Sequence, residues 1–435
     1  MSATVAAAVE GPTARLELLC DAGTLQTVRS AVGDGVAAGH GRVRGRPVFA
    51  YAQDGAFRGG SLGAAGGETI ARLLGMADAA GAPVVGFVHS GGARLQEGTA
   101  SLAAYAAIFR AQAVASVPQI SVVCGPCAGG AAYSPALGDV TVMAGDRARL
   151  FLTGPRVVRA AMREDVTSEE LGGARVHARS GVAHLVAADD VSAADAVREL
   201  LTHLPAGPAR PAPLVPPADP APGDPSEPVP AATRRVYDVR DVARRLVDGG
   251  RLLELGERWA RNLVVALTRI DGRPVGVIAN QPRHLGGVID AAAAEKGAWF
   301  VELCDRFVLP LVVLVDTPGF LPGVAQERAA VLRHGARLLR AFGRARVPRV
   351  TVTLRQAYGG AHIVMNSRDL GATLTLAWPD AAVGVMGARQ ATSVTRSDVM
   401  PDVRVGTAAA AGHVDEIVAP DRTRERLVAV LEAYA

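Results

Sequence analysis

Residues 117–123 read Val-Pro-Gln-Ile-Ser-Val-Val and lead to the triplet Gly129-Gly130-Ala131, and the same pattern occurs a second time in the chain. In the second copy, residues 347–353 read Val-Pro-Arg-Val-Thr-Val-Thr and lead to Gly359-Gly360-Ala361. Each triplet begins eleven residues after its proline. A β-branched run that ends in glycines predicts a buried strand followed by a tight turn in each half.

The repetition extends to both sides of these runs at a nearly constant offset. The apolar run at 84–88 leads to Ser90-Gly91-Gly92, and the run at 311–315 leads to Thr317-Pro318-Gly319. Continuous apolar runs that alternate with helical segments are typical of buried parallel strands. The residues therefore predict an α/β chain made of two related domains.

The remaining elements are expected in the same order in each half. A hairpin is expected at 43–53, and its copy at 269–280 contains an Asp-Gly pair that marks the turn. Helices are expected at 68–80 and 291–307, each followed by one of the apolar strands.

A proline-rich segment separates the two repeats. Residues 205–233 contain eleven prolines, and we expect an extended, poorly ordered linker because proline donates no backbone hydrogen bond. We therefore predict a flexible arm at 1–13, a first domain at 14–204 and a second domain at 234–435.

Composition excludes several classes of protein. The 435 residues are 49% hydrophobic and carry a net charge of +4, with dispersed arginines, which does not indicate nucleic-acid binding. We expect a cytoplasmic protein, since no signal peptide opens the chain and no apolar run has the length of a membrane span.

The motif Cys124-Gly125-Pro126-Cys127 is similar to a thioredoxin redox motif. It leads directly into the first glycine triplet instead of a long helix, and no second Cys or His pair completes a zinc site. We therefore expect neither redox activity nor a metal here.

The glycine triplets have two interpretations. Glycine permits a tight turn and close packing, which is a purely structural role. Alternatively, neighbouring amide N–H groups at the start of a helix stabilise developing negative charge, as in an oxyanion hole. Two copies in the same register favour the second interpretation.

Several further motifs carry a resemblance to a known family. They are Gly59-Gly60-Ser61-Leu62-Gly63 and residues 90–98, 125–137, 151–155, 279–282, 316–323, 359–361 and 376–379. Together they resemble the carboxyltransferase (beta) subunits of biotin-dependent acyl-CoA carboxylases of the propionyl- and acetyl-CoA type. The resemblance covers most of the chain from about residue 41, and it implies two tandem crotonase-like domains.

The resemblance also implies different roles for the two glycine sites. Gly129 and Gly130 would hold the thioester oxygen of acyl-CoA, and Gly360 and Ala361 would hold the ureido oxygen of carboxybiotin. The substrate-binding residues that it implies are Gly60, Ser61, Gly91, Gly92, Ala93, Arg94, Ala128, Tyr133, Gly319, Phe320, Gly359 and Ile363.

The interpretation of four other polar side chains is less specific. Arg94 either binds a CoA phosphate or forms a structural ion pair with Glu97. His89 and His184 are expected to be ordinary packed histidines, and Asp316 is expected to orient the loop that follows its strand.

The chain departs from the family pattern at several places. Only about 25 residues separate Gly387 from the terminal repeat, where family members usually have a longer, largely helical insertion, and the N-terminal region is also short. Ile363 stands where propionyl-type members often have Asp, and His362 replaces a usual Tyr. These departures leave the acyl group open, and whether it is carried on CoA or on a carrier protein.

Biotin is expected on a partner, because the family's biotin carrier and biotin carboxylase are other chains. The only lysine, Lys296, lacks the methionine-flanked setting of a biotin attachment site. The family resemblance further implies a hexamer, a dimer of trimers. Alternatives are a decarboxylase or transcarboxylase subunit, a biotin-independent crotonase-like hydrolase or isomerase, and a non-catalytic assembly subunit.

Overall fold

The computed structural model describes residue 9 and residues 11–207, 210–387 and 402–434. The chain divides into two compact units, one ending at Ala212 and the other beginning at Pro213. In the described residues, each unit is built on one eight-stranded sheet with the same sequence of pairings. The duplicated α/β architecture is therefore confirmed.

The first unit contains the following elements among its described residues. Its strands are β1 (Gln26–Val28), β2 (Val36–Val43), β3 (Arg46–Gln53), β4 (Ser61–Leu62), β5 (Val84–Ser90), β6 (Gly92–Ala93), β7 (Gln119–Ala128), β8 (Val140–Ala144), β9 (Arg149–Phe151) and β10 (Leu185–Ala187). Its helices are α1 (Pro12–Leu19), α2 (Ala64–Ala80), α3 (Thr99–Val114), α4 (Tyr133–Leu137), α5 (Pro155–Met162), α6 (Ser168–Gly172), α7 (Ala174–Ser180) and α8 (Asp190–His203).

The described part of the second unit repeats most of this order. Its strands are β11 (Leu253–Glu254), β12 (Leu263–Ile270), β13 (Arg273–Asn280), β14 (Leu311–Thr317), β15 (Arg349–Tyr358), β16 (Leu374–Ala377), β17 (Ala382–Gly384) and β18 (Glu416–Ile417). Its helices are α9 (Val239–Arg244), α10 (Ala291–Arg306), α11 (Val324–Arg328), α12 (Val331–Arg344), α13 (Gly359–Val364), α14 (Val405–Ala410) and α15 (Thr423–Ala433).

The sheets are antiparallel at one edge and parallel elsewhere. Their strand orders are β1-β2-β3-β5-β7-β8-β10, with β9 on β7, and β11-β12-β13-β14-β15-β16-β18, with β17 on β15. Helices α2 and α3 connect the parallel strands β3, β5 and β7, and α10 and α12 make the corresponding crossovers in the second unit. Apolar side chains of α2, such as Leu73, pack against Val84 and Val88 of β5 in the core of the first unit.

The two hairpins are longer than the sequence indicated. Strands β2 and β3 pair through a two-residue turn at Arg44 (φ 50°) and Gly45 (φ 76°), and β12 and β13 pair through Asp271 (φ 52°) and Gly272 (φ 72°). Positive φ at both residues is the signature of a type I′ turn. The sequence pattern did not predict most of strand β2 because the strand contains glycines. A Cβ at Gly39 would lie only 2.6 Å from the Gln26 carbonyl oxygen of the neighbouring strand.

The predicted helices and apolar strands are confirmed with small shifts at their ends. Helix α10 ends one residue before the predicted 307, whereas α2 begins at Ala64, four residues before the predicted start. The early start is compatible with Gly67, where a Cβ would lie 2.4 Å from that of Ala104 on α3. Close packing of two helices therefore requires glycines that weaken the helical pattern in the sequence.

The predicted arm at 1–13 is too long at its end. Helix α1 begins at Pro12, a residue type favoured at the first helical position. The helix is fixed by buried Arg15, whose Nε lies 3.0 Å from Oδ2 of Asp190. Residues 1–8 and 10 of the predicted arm lie outside the described residues.

The proline-rich segment is extended, but it is anchored to the second unit from Pro213 onward. Arg269 Nη1 donates to the Pro213 carbonyl oxygen at 2.7 Å, and Arg424 Nη2 donates to that of Ala218 at 3.2 Å. The expectation of a poorly ordered linker was wrong here, because the carbonyl groups of a proline-rich segment remain available as acceptors and arginine side chains bind two of them.

None of the helices among the described residues has the length and apolar character that crossing a membrane requires.

Candidate active site

The first glycine turn follows the central strand of the first unit. Strand β7 ends at Ala128, and Gly129 enters a short 3-10 turn with φ 61°, a conformation that favours glycine. Gly130 is packed closely, since a Cβ there would lie 3.3 Å from the Tyr105 ring. The first N–H groups of such a turn have no partner within it. Two glycine amides are therefore placed at the carboxyl end of a buried strand.

Two other glycine loops support this turn. The short strands β4 and β6 pair in parallel, joining Ser61 to Gly92 and Leu62 to Ala93. Gly91 N donates to Gly60 O at 3.2 Å, and a Cβ at Gly92 would lie 3.0 Å from the Ala128 oxygen. The structure thus brings together eight of the ten site residues predicted around the first turn: Gly60, Ser61, Gly91, Gly92, Ala93, Ala128, Gly129 and Gly130.

The buried Ser90 side chain connects the two loops through hydrogen bonds. The Ser90 hydroxyl donates to the Gly60 carbonyl oxygen at 2.8 Å and lies 3.2 Å from the Tyr105 hydroxyl. Gly92 N donates to the same serine oxygen at 3.2 Å. Ser90 has no exposed surface, so it holds the loops and does not act as a nucleophile.

Arg94 forms a structural ion pair, one of the two roles that the sequence left open for it. Its guanidinium is 3% exposed and lies 2.5 Å from Asp34 Oδ1 and 2.7 Å from Glu97 Oε1. It also donates to the Ser61 carbonyl oxygen at 2.8 Å. These contacts leave it no free face for a phosphate, and they fix strand β4 beside the turn.

Tyr133 is the remaining predicted residue of the first unit. It begins helix α4 directly after the turn, is 49% exposed, and contacts Phe109 edge-on at 5.9 Å between ring centroids. Its exposure leaves one face available, and its role in substrate binding stays a prediction.

The second glycine turn has the same left-handed entry as the first. Strand β15 ends at Tyr358, and Gly359 begins helix α13 with φ 58°, close to the 61° of Gly129. Gly360 is exposed and Ala361 is buried, and both lie in the first turn of the helix, where N–H groups have no intrahelical partner. The agreement of these two φ angles therefore confirms the duplication at the level of individual residues.

An aromatic ring supports the second turn. Phe320 lies 3.6 Å from the position of a Cβ at Gly360, and it follows Gly319, which has φ 142°. Gly319 O accepts from Ile289 N at 3.0 Å, and this bridge corresponds to the β4–β6 pairing of the first unit. Ile363, half-exposed at 49%, lies further along α13.

Sequence reasoning missed the second copy of Gly59-Gly60. Residues Leu285, Gly286 and Gly287 have φ values of 51°, 65° and 77°, which match 49°, 67° and 72° at Arg58, Gly59 and Gly60. The two sets are separated by 227 positions, the same offset that separates β5 from β14. A check at this offset would have found the loop, although Leu285-Gly286-Gly287 shares only its glycines with the first copy.

The two cysteines of the redox-like motif are inert. Cys124 and Cys127 lie in β7, are free and are fully buried. Burial raises the pKa of Cys124 to about 12 and raises that of Cys127 as well, so neither forms the reactive thiolate at neutral pH. The described residues also contain no group of three or more His, Cys, Asp or Glu side chains that could hold a metal ion.

The single lysine is a buried structural residue. Lys296 Nζ donates to three carbonyl oxygens, those of Gly256 at 2.9 Å, Trp259 at 2.9 Å and Leu263 at 2.7 Å. Burial lowers its pKa to about 7, while the three acceptors favour the ammonium form. With no exposed surface, Lys296 does not resemble an attachment site for a prosthetic group.

His89 and His184 are packed, as expected. The His89 ring fills the space beside Gly55 and Gly125, and burial lowers its pKa. His184 Nδ1 accepts from the Thr141 backbone N–H at 3.0 Å. Residues 388–401, where the chain departs from the family in length, lie outside the described residues.

Comparison with known proteins assigns a family to this arrangement. The family described as "Carboxyl transferase domain" matches residues 16–400. The carboxyltransferase subunit of propionyl-CoA carboxylase from Haloferax mediterranei is 44% identical over 425 residues, covering 92% of this chain and 82% of the relative. The 12S subunit of methylmalonyl-CoA carboxyltransferase from Propionibacterium freudenreichii is 44% identical over 426 residues, covering 92% and 81%.

A solved structure has the same fold over nearly the whole chain. The crystal structure of transcarboxylase 12S, described as a hexamer assembly with hydrolysed methylmalonyl-coenzyme A bound, superposes with a TM-score of 0.93 at 41% identity. It covers 98% of this chain and 89% of the other. Both units therefore have the crotonase-like fold that the resemblance implied, and the chain belongs to the carboxyl transferase family as an acyl-CoA carboxyltransferase subunit of the biotin-dependent class.

Proposed function

We propose that this subunit moves a carboxyl group from carboxybiotin, carried on a partner protein, to the α-carbon of a short-chain or specialised acyl thioester. The observation that carries the proposal is the pair of glycine turns with the same left-handed entry, at Gly129 and Gly359, one in each unit. One turn serves each substrate. Relatives that act on propionyl-CoA and methylmalonyl-CoA support these two thioesters as the first to test.

The first turn binds the acyl substrate. The amides of Gly129 and Gly130 donate to the thioester oxygen and stabilise the negative charge that forms on it when the α-proton is removed. The loops ending in Gly60, Ser61, Gly91, Gly92 and Ala93 shape the surface beside the turn, together with Ala128 and Tyr133. Arg94 contributes only by holding β4 in place.

The second turn fits a ureido group. Gly360 and Ala361 offer backbone donors, and Phe320 gives the turn an apolar floor. Gly319, Gly359 and Ile363 complete the surface on the biotin side. When bound, carboxybiotin supplies the carbon dioxide and then the base, so the chain needs no side-chain base of its own. This agrees with the absence of an exposed catalytic serine or a paired carboxylate at either turn in the described residues.

The partners in this proposal are a biotin carboxyl carrier protein and a biotin carboxylase. We further propose a hexamer, a dimer of trimers, since the similar transcarboxylase 12S structure is described as a hexamer. The reverse direction, in which the carboxyl group leaves methylmalonyl-CoA for the carrier, is the alternative to be tested, because the similar transcarboxylase 12S structure has hydrolysed methylmalonyl-coenzyme A bound. Because Ile363 stands where propionyl-type members often have Asp, the identity of the acyl group is not specified. Short-chain thioesters on CoA and on a carrier protein are therefore both to be assayed.

Two variants of one residue test the second turn. Gly360 does not have a positive φ, so alanine can adopt its backbone conformation. Gly360→Ala keeps the backbone N–H and places a Cβ at an ordinary 3.6 Å from Phe320. Gly360→Pro removes the N–H at a position in the first helical turn where proline is tolerated. Carrier-dependent transfer should fall about 100- to 1,000-fold in Gly360→Pro and stay near wild type in Gly360→Ala. Equal activity of both variants would contradict the proposed role of the amide.

A further inference from the structure

We propose that Asp316, Arg355 and Tyr237 form a buried positioning cluster that fixes the biotin-side glycine turn of the second unit. This inference rests on the proposed function. Asp316 is the penultimate residue of β14, which leads to Gly319 and Phe320, and Arg355 lies near the end of β15, which leads to Gly359. The cluster thus joins the two strands that carry the candidate site.

The three side chains are in direct contact. Arg355 Nε lies 3.0 Å from Asp316 Oδ2, and the two side chains are 7% and 0% exposed. The Tyr237 hydroxyl donates to the same carboxylate oxygen at 2.8 Å, and the guanidinium stacks over the Tyr237 ring at 5.2 Å. Taking a charge pair out of water is costly, and such a pair is a poor source of stability. Its place between the two site strands gives it a function in positioning instead.

The guanidinium extends the cluster to the segment before α9. Arg355 Nη1 donates to the Arg235 carbonyl oxygen at 2.8 Å and to that of Ala232 at 3.4 Å. Asp316 N donates to Asn280 Oδ1 at 3.3 Å, and Asn280 Nδ2 donates to the Gly287 carbonyl oxygen at 3.2 Å. The ends of β13, β14 and β15 and the loop at Gly287 are therefore held as one assembly.

The first unit has no such pair at the equivalent positions. The offset of 227 places His89 at the position of Asp316, and the offset of 230 between β7 and β15 places Gly125 at that of Arg355. A Cβ at Gly125 would lie 2.6 Å from the His89 ring, so no guanidinium fits there. Burial lowers the pKa of His89 and favours its neutral form. The ion pair is thus specific to the second turn.

The cluster also predicts a pH response. The titratable groups that face Asp316 are Arg355 and Tyr358 from β15 and Tyr237 from the segment before α9, with Gln356 as a further polar neighbour. Burial raises the pKa of Asp316 to about 6. Protonation below that pH removes the charge that Arg355 needs, so carrier-dependent transfer should fall as the pH decreases through about 6.

The test compares Asp316→Asn with a control that breaks another partly buried pair. Arg424 lies 2.6 Å from Asp248, which binds the turn at Asp271 and Gly272, at the opposite end of β13 from Asn280. In the intact complex with a biotinylated carrier, Asp316→Asn should lower kcat for carboxyl transfer at least tenfold. Its KM for the acyl-CoA should stay within twofold of wild type, and the decline in rate below pH 6 should disappear. Arg424→Gln should keep the wild-type kcat and pH profile.

A second, milder variant keeps the proposal testable if Asp316→Asn fails to fold. Tyr237→Phe removes one hydrogen bond and keeps the ring that stacks on Arg355, and it should lower kcat about threefold with an unchanged KM for acyl-CoA. The cluster proposal is overturned if Asp316→Asn or, where that variant fails to fold, Tyr237→Phe transfers carboxyl like Arg424→Gln. It is also overturned if the acyl-CoA KM changes as much as kcat. A wild-type complex without carrier-dependent transfer would instead overturn the proposed function on which the cluster depends.

Discussion

Arg94 shows how a single side chain changes role once its partners are known. From the sequence, a guanidinium beside a glycine loop fits a phosphate as well as it fits a carboxylate. In the structure it is 3% exposed and is held by Asp34, Glu97 and the Ser61 carbonyl oxygen. Its contribution to the site is therefore the position of strand β4.

Replacement of Arg94 should affect stability more than binding. Arg94→Gln leaves two carboxylates without their partner and should cost about 3 kcal/mol, or roughly 6 to 12 °C in the thermal midpoint. The matched control is Arg44→Gln, which breaks an exposed pair with Glu199 at 3.1 Å and should cost less than about 1 kcal/mol. A normal midpoint with a tenfold increase in KM for acyl-CoA would restore the phosphate-binding role.

The glycine turns are the element on which the account depends, and each position within them has a different requirement. Gly129 has φ 61°, and a Cβ at this residue would have no atom within 4 Å, so its requirement is one of backbone conformation alone. Gly360 lacks a positive φ and has room for a methyl group. Replacement by alanine should therefore affect stability strongly at Gly129 and only weakly at Gly360.

Gly129→Ala should destabilise the first unit by about 1 to 2 kcal/mol, because an alanine must adopt the left-handed conformation. Gly360→Ala should change stability by less than about 0.5 kcal/mol. Thermal unfolding of both variants measures the difference. A destabilisation by Gly360→Ala as large as that by Gly129→Ala would contradict the backbone geometry described for the second turn.

Sequence patterns predicted those elements whose cause is local. The apolar strands, helix α10, the Asp271-Gly272 turn and both glycine turns follow from periodicity and from glycine chemistry. Strand β2 was missed because its glycines are required by close packing against a neighbouring strand. The Gly286-Gly287 loop was missed because its flanking residues differ from those of the first copy. The pairs Arg94–Asp34 and Arg355–Asp316 join residues 60 and 39 positions apart, and spacing alone does not specify such partners.

At the scale of the whole molecule, duplication has produced two turns that share a left-handed entry glycine and have different supporting side chains. Ser90 and Tyr105 support the first, and Phe320 with the Asp316–Arg355 pair supports the second. Two related domains that differ in this way suit a reaction with two different substrates. We therefore expect activity to depend on both an acyl thioester and a biotin-bearing partner.

The most direct test of this central claim is transfer of labelled carboxyl from methylmalonyl-CoA to a biotinylated carrier protein by the purified chain. We predict label on the carrier, no transfer to a carrier whose biotinylated lysine is replaced, and loss of transfer in Gly360→Pro. Loss of carboxyl from methylmalonyl-CoA at the same rate with or without the carrier, and unchanged in Gly360→Pro, would contradict this claim and favour a biotin-independent crotonase-like enzyme.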